Sequence, residues 1–329
     1  MKTQSIRYYG ICFCVCLCLT LIGMFVEFNE KPTKTQPVRV TSGGQATNSA
    51  TLTFVSAGDD EVARTQWMNA CSFYALYLRS ADSVLAKVHD EESYKIIKFV
   101  LDNAALGRFN TNYGTQLMQQ KEITSNTFAL IFSTKLDEDS LNRINPNLAG
   151  RSGCYIPKMR TMVICVHHRL SAVSRALALI HEGSHAMRSL VDGVEIDRNA
   201  TELSDEELSV FASERRILFA LGGSSYSNVV ALEKKRIIDI VSKAGEKFGD
   251  VFVTNGPYDE EMEKIFGEAA SPEEKIYRSG FVNVIATFDL LDETYGSEPE
   301  KLLKLRRAYM TSLEMPKTRE FVDQTPKHP

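Results

Sequence analysis

Two histidines, His181 and His185, stand four residues apart in the middle of this 329-residue chain. If the run that contains them is helical, both imidazoles lie on one face of the helix, one turn apart. At that spacing they can bind a single Zn²⁺ and leave coordination positions open. Glu182 follows His181 directly, so its carboxylate can reach a metal-bound water without being a ligand, as a general base requires.

The residues around the two histidines predict the helix that this chemistry needs. Ser171 is a suitable N-cap, Ala and Leu dominate the interior, no proline interrupts the run, and Gly193 stands just past its end. Residues 176–180 are uncharged, whereas a solvated surface helix would carry scattered charges. The sequence therefore predicts a buried helix centred on His-Glu-x-x-His. The alternative is a coincidental match, or a site that has lost its metal.

At these residues the chain resembles the zincins, the zinc metallopeptidases that carry this motif. The resemblance covers roughly residues 154–222, and its specific part is short. In the small glutamate-ligand type, the gluzincins and minigluzincins, a second helix carries the third ligand, a glutamate early in the helix. Glu207 best matches that position, followed by Glu206 and then Glu214. Ser204 and Glu207 form a capping box, which predicts a helix that starts at Ser204.

The same three glutamates have a simpler interpretation, as solvated charges near a helix N-terminus, where carboxylates are favoured in any case. The resemblance favours Glu207 as the ligand and leaves Glu206 and Glu214 as alternatives. It implies Zn²⁺ as the cofactor and a peptide or protein as the substrate. Zincins also supply a side chain that donates to the oxyanion of the reaction. The candidates here are Tyr226, Tyr258, Tyr277 and Arg278.

The resemblance implies an α+β fold. A small mixed or antiparallel sheet has its edge strand packed on the metal-binding helix, and a mostly helical C-terminal part follows. Residues 127–134 have the apolar density of a buried strand, and residues 153–166 suggest a hairpin that turns near Met159 and Arg160. In zincins an edge strand beside the cleft precedes the metal helix, and residues 161–166 stand in that place. An extended peptide would then pair with them. The alternative is a plain hairpin whose edge is covered.

Helical periodicity extends over most of the remaining chain. It predicts one or two helices over residues 61–88 and single helices at residues 91–106, 227–248, 271–291 and 299–310. A short β segment fits residues 51–55. In the predicted hairpin Cys154 and Cys165 stand opposite each other, so an oxidising compartment would join them and leave Cys71 as a buried thiol. The alternative is that all three are apolar-packed thiols.

The N-terminus contains an uncharged stretch, residues 8–26, that is long enough to span a bilayer. No small-x-small cleavage site follows it, which favours an uncleaved membrane anchor over a signal peptide. We expect the N-terminus inside and the catalytic body exported, on the periplasmic or extracellular side. The predicted organisation is an anchor or signal segment at 1–28, a flexible tether at 29–58, a zincin-like domain at 59–317 and a disordered tail at 318–329.

The composition is that of an ordinary globular protein, with 43% apolar and 24% charged residues. A net charge of −4 without a basic stripe gives no general attraction to nucleic acid. The sequence therefore predicts a membrane-tethered zinc metallopeptidase that hydrolyses peptide bonds with Glu182 as general base. The alternative from a different class is a catalytically inactive binding module of the same fold, tethered to a membrane.

Overall fold

The computed structural model of the chain describes residues 53–54, 61–110, 114–118, 123–134, 152–166, 169–194, 200–244 and 258–314. These residues form a mixed α+β structure that is mostly helical. The anchor predicted at 8–26 and the tail at 318–329 lie outside the described residues, and so does nearly all of the tether. Among the described helices, none combines the length and apolar character that crossing a membrane requires.

The described strands form one six-stranded sheet in the order β1-β3-β2-β4-β6-β5. They are β1 (Thr53–Phe54), β2 (Ala104–Asn110), β3 (Gly114–Leu117), β4 (Phe128–Ser133), β5 (Gly153–Ile156) and β6 (Thr161–Cys165). Strands β2, β4 and β6 run parallel, whereas β2–β3 and β5–β6 are antiparallel pairs. Strand β4 is buried along its whole length, as its uninterrupted apolar run predicts.

Strand β2 changes its pairing partner at Gly107. Residues 104–106 of β2 pair with β4, and from Gly107 onwards β2 pairs with β3 instead. Strand β3 also approaches β6, because Thr115 Oγ1 lies 3.0 Å from Thr161 Oγ1. A Cβ on Gly107 would lie 3.0 Å from a carbonyl oxygen of β3, so the glycine permits this close approach.

Eight α-helices are present in the described part of the chain. They are α1 (Glu61–Val88), α2 (Glu91–Asn103), α3 (Ala172–Leu190), α4 (Ala200–Gly222), α5 (Ser224–Ala244), α6 (Asp259–Phe266), α7 (Pro272–Tyr295) and α8 (Pro299–Glu314). Helix α3, which carries the two histidines, packs against α1 and α2 and against strands β5 and β6. Helices α4 to α8 form the helical C-terminal part, and one apolar core connects them with the sheet.

Most predicted helices are confirmed, with shifted ends. Residues 61–88 form one helix, and α5, α7 and α8 correspond to the three predicted C-terminal helices. Helix α2 ends at Asn103 because the next residues enter the sheet as β2, so the prediction of 91–106 was too long. Helix α4 begins at Ala200, before the predicted start at Ser204. Strands β2 and β3 and helix α6 were not predicted.

The hairpin of β5 and β6 is confirmed, but two inferences from it are wrong. Its turn is a 3₁₀ segment, Pro157–Met159, followed by Arg160 in the left-handed region at φ 45°. Residues 161–166 do not supply the edge strand, because β6 pairs with β4 along all five of its residues and leaves β5 at the edge of the sheet that the described residues form. The disulfide is also absent. Cys154 lies opposite Val163, two residues short of Cys165, and both cysteines are buried thiols.

Candidate metal centre

Helix α3 begins as its sequence predicts and is held at that end by a second helix. Ser171 is the N-cap, and its hydroxyl accepts a hydrogen bond from the Ser174 backbone N–H. The carboxylate of Glu274, on α7, accepts from the Ser171 N–H at 2.8 Å and from the Ser174 hydroxyl at 2.5 Å. A carboxylate at this position also interacts favourably with the helix dipole. The N-terminus of the histidine helix is therefore fixed relative to α7.

Three potential ligand side chains converge between α3 and α4. His181 Nε2 and His185 Nε2 lie 3.1 Å apart. Glu207 brings one carboxylate oxygen to 3.5 Å from His181 Nε2 and the other to 3.6 Å from His185 Nε2. Ligand atoms bound tetrahedrally to zinc at 2.0–2.1 Å lie about 3.3–3.4 Å from one another. The two Nε2 atoms are slightly closer than this, and each faces a different oxygen of Glu207 at a slightly longer distance. Within the described residues, His181, His185 and Glu207 form the group that could hold a metal ion.

The other ring nitrogen of each histidine faces a buried glutamate. His181 Nδ1 lies 3.1 Å from Glu214 Oε1, and His185 Nδ1 lies 3.0 Å from Glu206 Oε1. Metal binding requires neutral imidazoles. In that state, and with ionised carboxylates opposite, each imidazole would donate through Nδ1–H and present a lone pair at Nε2. Two lone pairs and the carboxylate of Glu207 then point at one place, and a cation at that place would offset their mutual repulsion.

The electrostatics of the cluster also favour positive charge at its centre. Glu182, Glu206 and Glu214 are 6%, 2% and 0% exposed. Burial raises the pKa of Glu214 to about 7, against the lowering effect of His181. Burial by itself lowers the pKa of His181, but the surrounding glutamates, Glu214 foremost, outweigh it and raise that pKa overall. The pKa of His185 is raised in the same way, mainly by Glu207 and Glu206.

Glu182 lies beside the ligand group and against the edge strand. A Cβ placed on Gly153, at the start of β5, would lie 3.0 Å from Glu182 Cγ and 3.2 Å from Glu182 Oε1. Glu182 is not a member of the group that could hold a metal ion. Its carboxylate therefore lies against β5 and outside the group that could hold the metal ion.

Of the four predicted oxyanion donors, Tyr277 is the one whose pKa is raised by both Glu214 and Glu182. Burial raises the pKa of Tyr277, and the carboxylates of Glu214 and Glu182 raise it further, while a hydrogen bond with Ser152 lowers it. The ring of Tyr277 lies against that of Phe281, at a centroid distance of 6.1 Å. Tyr277 is thus the candidate whose pKa is raised by both Glu182, the predicted base, and Glu214.

The other three candidates are engaged elsewhere. Arg278 is buried and binds Glu274 and two backbone carbonyl groups at the end of α6. Burial and Glu233 raise the pKa of Tyr258 to about 12. Burial also raises the pKa of Tyr226 to about 12, with Arg215 as its strongest charged neighbour. These three side chains belong to the packing of the C-terminal helices.

Two residues of the site were missed in the sequence. The ring of Phe211 meets that of His181 edge-on at 5.2 Å, and it also contacts Phe281. Its position four residues after Glu207, on the same helix face, is a signal that could have identified it. Gly153 carried no such signal, because its contact with Glu182 joins residues 29 positions apart in the chain.

Comparison with known proteins found no matching family model, no matching curated protein and no matching solved structure.

Proposed function

We propose that this protein is a zinc-dependent metallopeptidase of the small glutamate-ligand zincin type, with His181, His185 and Glu207 as ligands. The observation that carries the proposal is the convergence of two Nε2 atoms and one carboxylate at separations of 3.1–3.6 Å. Imidazole nitrogen and carboxylate oxygen are suitable donors for zinc. Three protein ligands are typical of catalytic zinc sites, whereas structural sites usually have four.

The residues of the site have distinct roles in the proposed reaction. When bound, Zn²⁺ would polarise the scissile carbonyl group and lower the pKa of the attacking water. Glu182 removes a proton from that water and delivers it to the leaving amine. The Tyr277 hydroxyl donates a hydrogen bond to the oxyanion that develops on the substrate. Glu206 and Glu214 hold the two imidazoles so that each Nε2 faces the ligand position.

The position of the edge strand suggests how a substrate would lie. Strand β5 occupies the end of the sheet order, and Gly153 at its start contacts Glu182. We therefore assign the pairing with an extended peptide substrate to β5, in place of residues 161–166. The uncharged residues 8–26 would tether this body to a membrane, with the catalytic part on the exported side.

The experiment that tests this function uses the purified full-length protein and a broad peptide library. We expect hydrolysis that stops when a chelator removes the metal and resumes when about one equivalent of Zn²⁺ is returned. Hydrolysis that survives complete metal removal would contradict the proposal. A protein that binds one zinc and cleaves no peptide would instead be the inactive binding module.

A further inference from the structure

The start of the edge strand contains a glycine where a side chain would collide with Glu182. A Cβ on Gly153 would lie 3.0 Å from Glu182 Cγ, 3.2 Å from Glu182 Oε1 and 2.8 Å from the carbonyl oxygen of Val163. All three distances are shorter than the 3.4 Å at which ordinary van der Waals contact begins. Any other residue at this position would have to displace either the strand or the carboxylate.

Backbone conformation does not account for this glycine. Among the described glycines, those with positive φ are Gly193, Gly223 and Gly267. Gly153 instead pairs regularly with Ile164 in the β5–β6 ladder. A glycine inside a strand lowers its stability and often marks a close approach of another group. Here two groups approach, the Val163 carbonyl of the paired strand at 2.8 Å and the Glu182 side chain at 3.0 Å.

We infer that Gly153 is a positioning residue, whose missing side chain allows the edge strand to hold the Glu182 carboxylate beside the ligand group. The inference rests on the proposed hydrolytic function for its catalytic consequence, but the contact itself does not depend on that function. A methyl group at this position would move the carboxylate while leaving His181, His185 and Glu207 in place. The rate constant kcat should then fall, whereas the zinc content should stay the same.

The first test compares Gly153→Ala with Gly107→Ala. The control is matched, because a Cβ on Gly107 would also be crowded, at 3.0 Å from Gln116 O and 3.4 Å from Ala129 Cβ, without contact with Glu182. We expect Gly153→Ala to lower kcat about tenfold. This is less than the roughly hundredfold cost of a 1 Å displacement, because contacts of 3.0 and 3.2 Å require a smaller shift of Glu182. Its KM and zinc content should stay close to those of the parent protein, and Gly107→Ala should retain the parent kcat. An unchanged kcat in Gly153→Ala would overturn the inference.

The second test needs no substrate. Thermal unfolding is measured for the parent, Gly153→Ala, Glu182→Ala and the double variant. We expect the Tm loss caused by Gly153→Ala to be smaller by about 2–4 °C when Glu182 is truncated, because that truncation removes part of the collision. Equal losses in both backgrounds would overturn the inference.

The two tests separate this inference from the proposed function. If the parent protein cleaves no peptide, the proposed function fails, and the unfolding comparison alone decides whether Gly153 positions Glu182. If Gly153→Ala does not fold, a double variant with Glu182→Ala that folds supports the inference. A double variant that also fails to fold overturns it.

Discussion

Two buried glutamates contact helix α3, and their surroundings shift their pKa values in opposite directions. Glu274 and Glu214 are both 0% exposed. Burial alone raises the pKa of either carboxyl group. Around Glu274, hydrogen bonds from Ser171, Ser174 and Ala270 outweigh burial and lower its pKa. Around Glu214, burial prevails over His181 and raises its pKa to about 7.

The number and kind of hydrogen-bond donors explain this difference. Both oxygens of Glu274 accept hydrogen bonds, and the guanidinium of Arg278 supplies a permanent positive charge. Glu214 accepts from His181 through one oxygen, and its second oxygen has no hydrogen-bond partner among the described residues. The charge at the N-terminus of α3 is therefore balanced within the protein. At its centre Glu214 lacks such a set of donors, and the proposed metal ion would supply positive charge there.

The largest loss of kcat should come from a substitution at Glu182, which leaves all three proposed metal ligands in place. Glu182→Gln keeps the size of the side chain and removes its basic oxygen. We expect kcat to fall by about 10²–10⁴, the usual contribution of general acid–base catalysis, with zinc content and Tm unchanged. Peptide hydrolysis and metal analysis of the same preparation measure both. Cleavage at the parent rate would show that Glu182 is not the base.

A smaller loss of kcat should follow removal of the Tyr277 hydroxyl. Tyr277→Phe preserves the ring contact with Phe281 and deletes the proposed oxyanion donor. We expect kcat to fall about a hundredfold, as for other single oxyanion donors, while KM changes little. Tyr258→Phe is a control, since its hydroxyl interacts with Glu233 rather than with the site. Equal kcat losses in the two variants would argue against a direct role of Tyr277.

Replacing Glu206 or Glu214, which face the Nδ1 atoms of the two histidines, should lower the affinity for zinc. Glu214→Gln and Glu206→Gln leave all three ligands in place but weaken the acceptor opposite each Nδ1–H. We expect zinc affinity to fall about 10–100-fold, as for other groups that orient metal ligands. Competition with a chromophoric chelator measures this change. If either variant loses zinc as completely as Glu207→Ala does, that glutamate is a direct ligand.

The smallest expected effect is a change in the free energy of unfolding when Glu274 is replaced. The pKa of Glu274 is lower in the folded state, so its ionised form stabilises the fold above the unfolded pKa of about 4.3. That contribution disappears as the pH falls through the lower, folded-state pKa. Glu274→Gln should therefore reduce the free energy of unfolding by about 1 kcal/mol at pH 7, and the difference should shrink at acidic pH. Unfolding curves at both pH values test this, and a difference that grows with acidity would contradict it.

Local signals in the sequence predicted the elements that carry the metal group. The N-cap at Ser171 and the uncharged run before His181 define α3 without reference to the rest of the fold. The resemblance singled out Glu207, and the structure brings it to both histidines while Glu206 and Glu214 face the other ring nitrogens. A helix that starts at Ala200 still presents Glu207 and Glu214 on one face, because they are seven residues apart.

What the sequence could not predict depends on pairing between distant segments. The edge position of β5 follows from the parallel pairing of β4 with β6, which no local pattern encodes. Residues 104–106 continue the apolar periodicity of α2, yet they enter the sheet because β4 offers backbone partners. The disulfide prediction failed because it assumed a turn centred on Met159 and Arg160, and the actual turn sets Cys154 opposite Val163.

The most direct test of the account is the metal content of the purified full-length protein and of its His185→Ala variant, measured by mass spectrometry after exhaustive dialysis. Since His185 Nε2 lies 3.1 Å from His181 Nε2, its removal should open the group. We expect about one zinc per chain in the parent and none in the variant. A parent without bound metal, or a variant that keeps its full zinc content, would contradict the central claim.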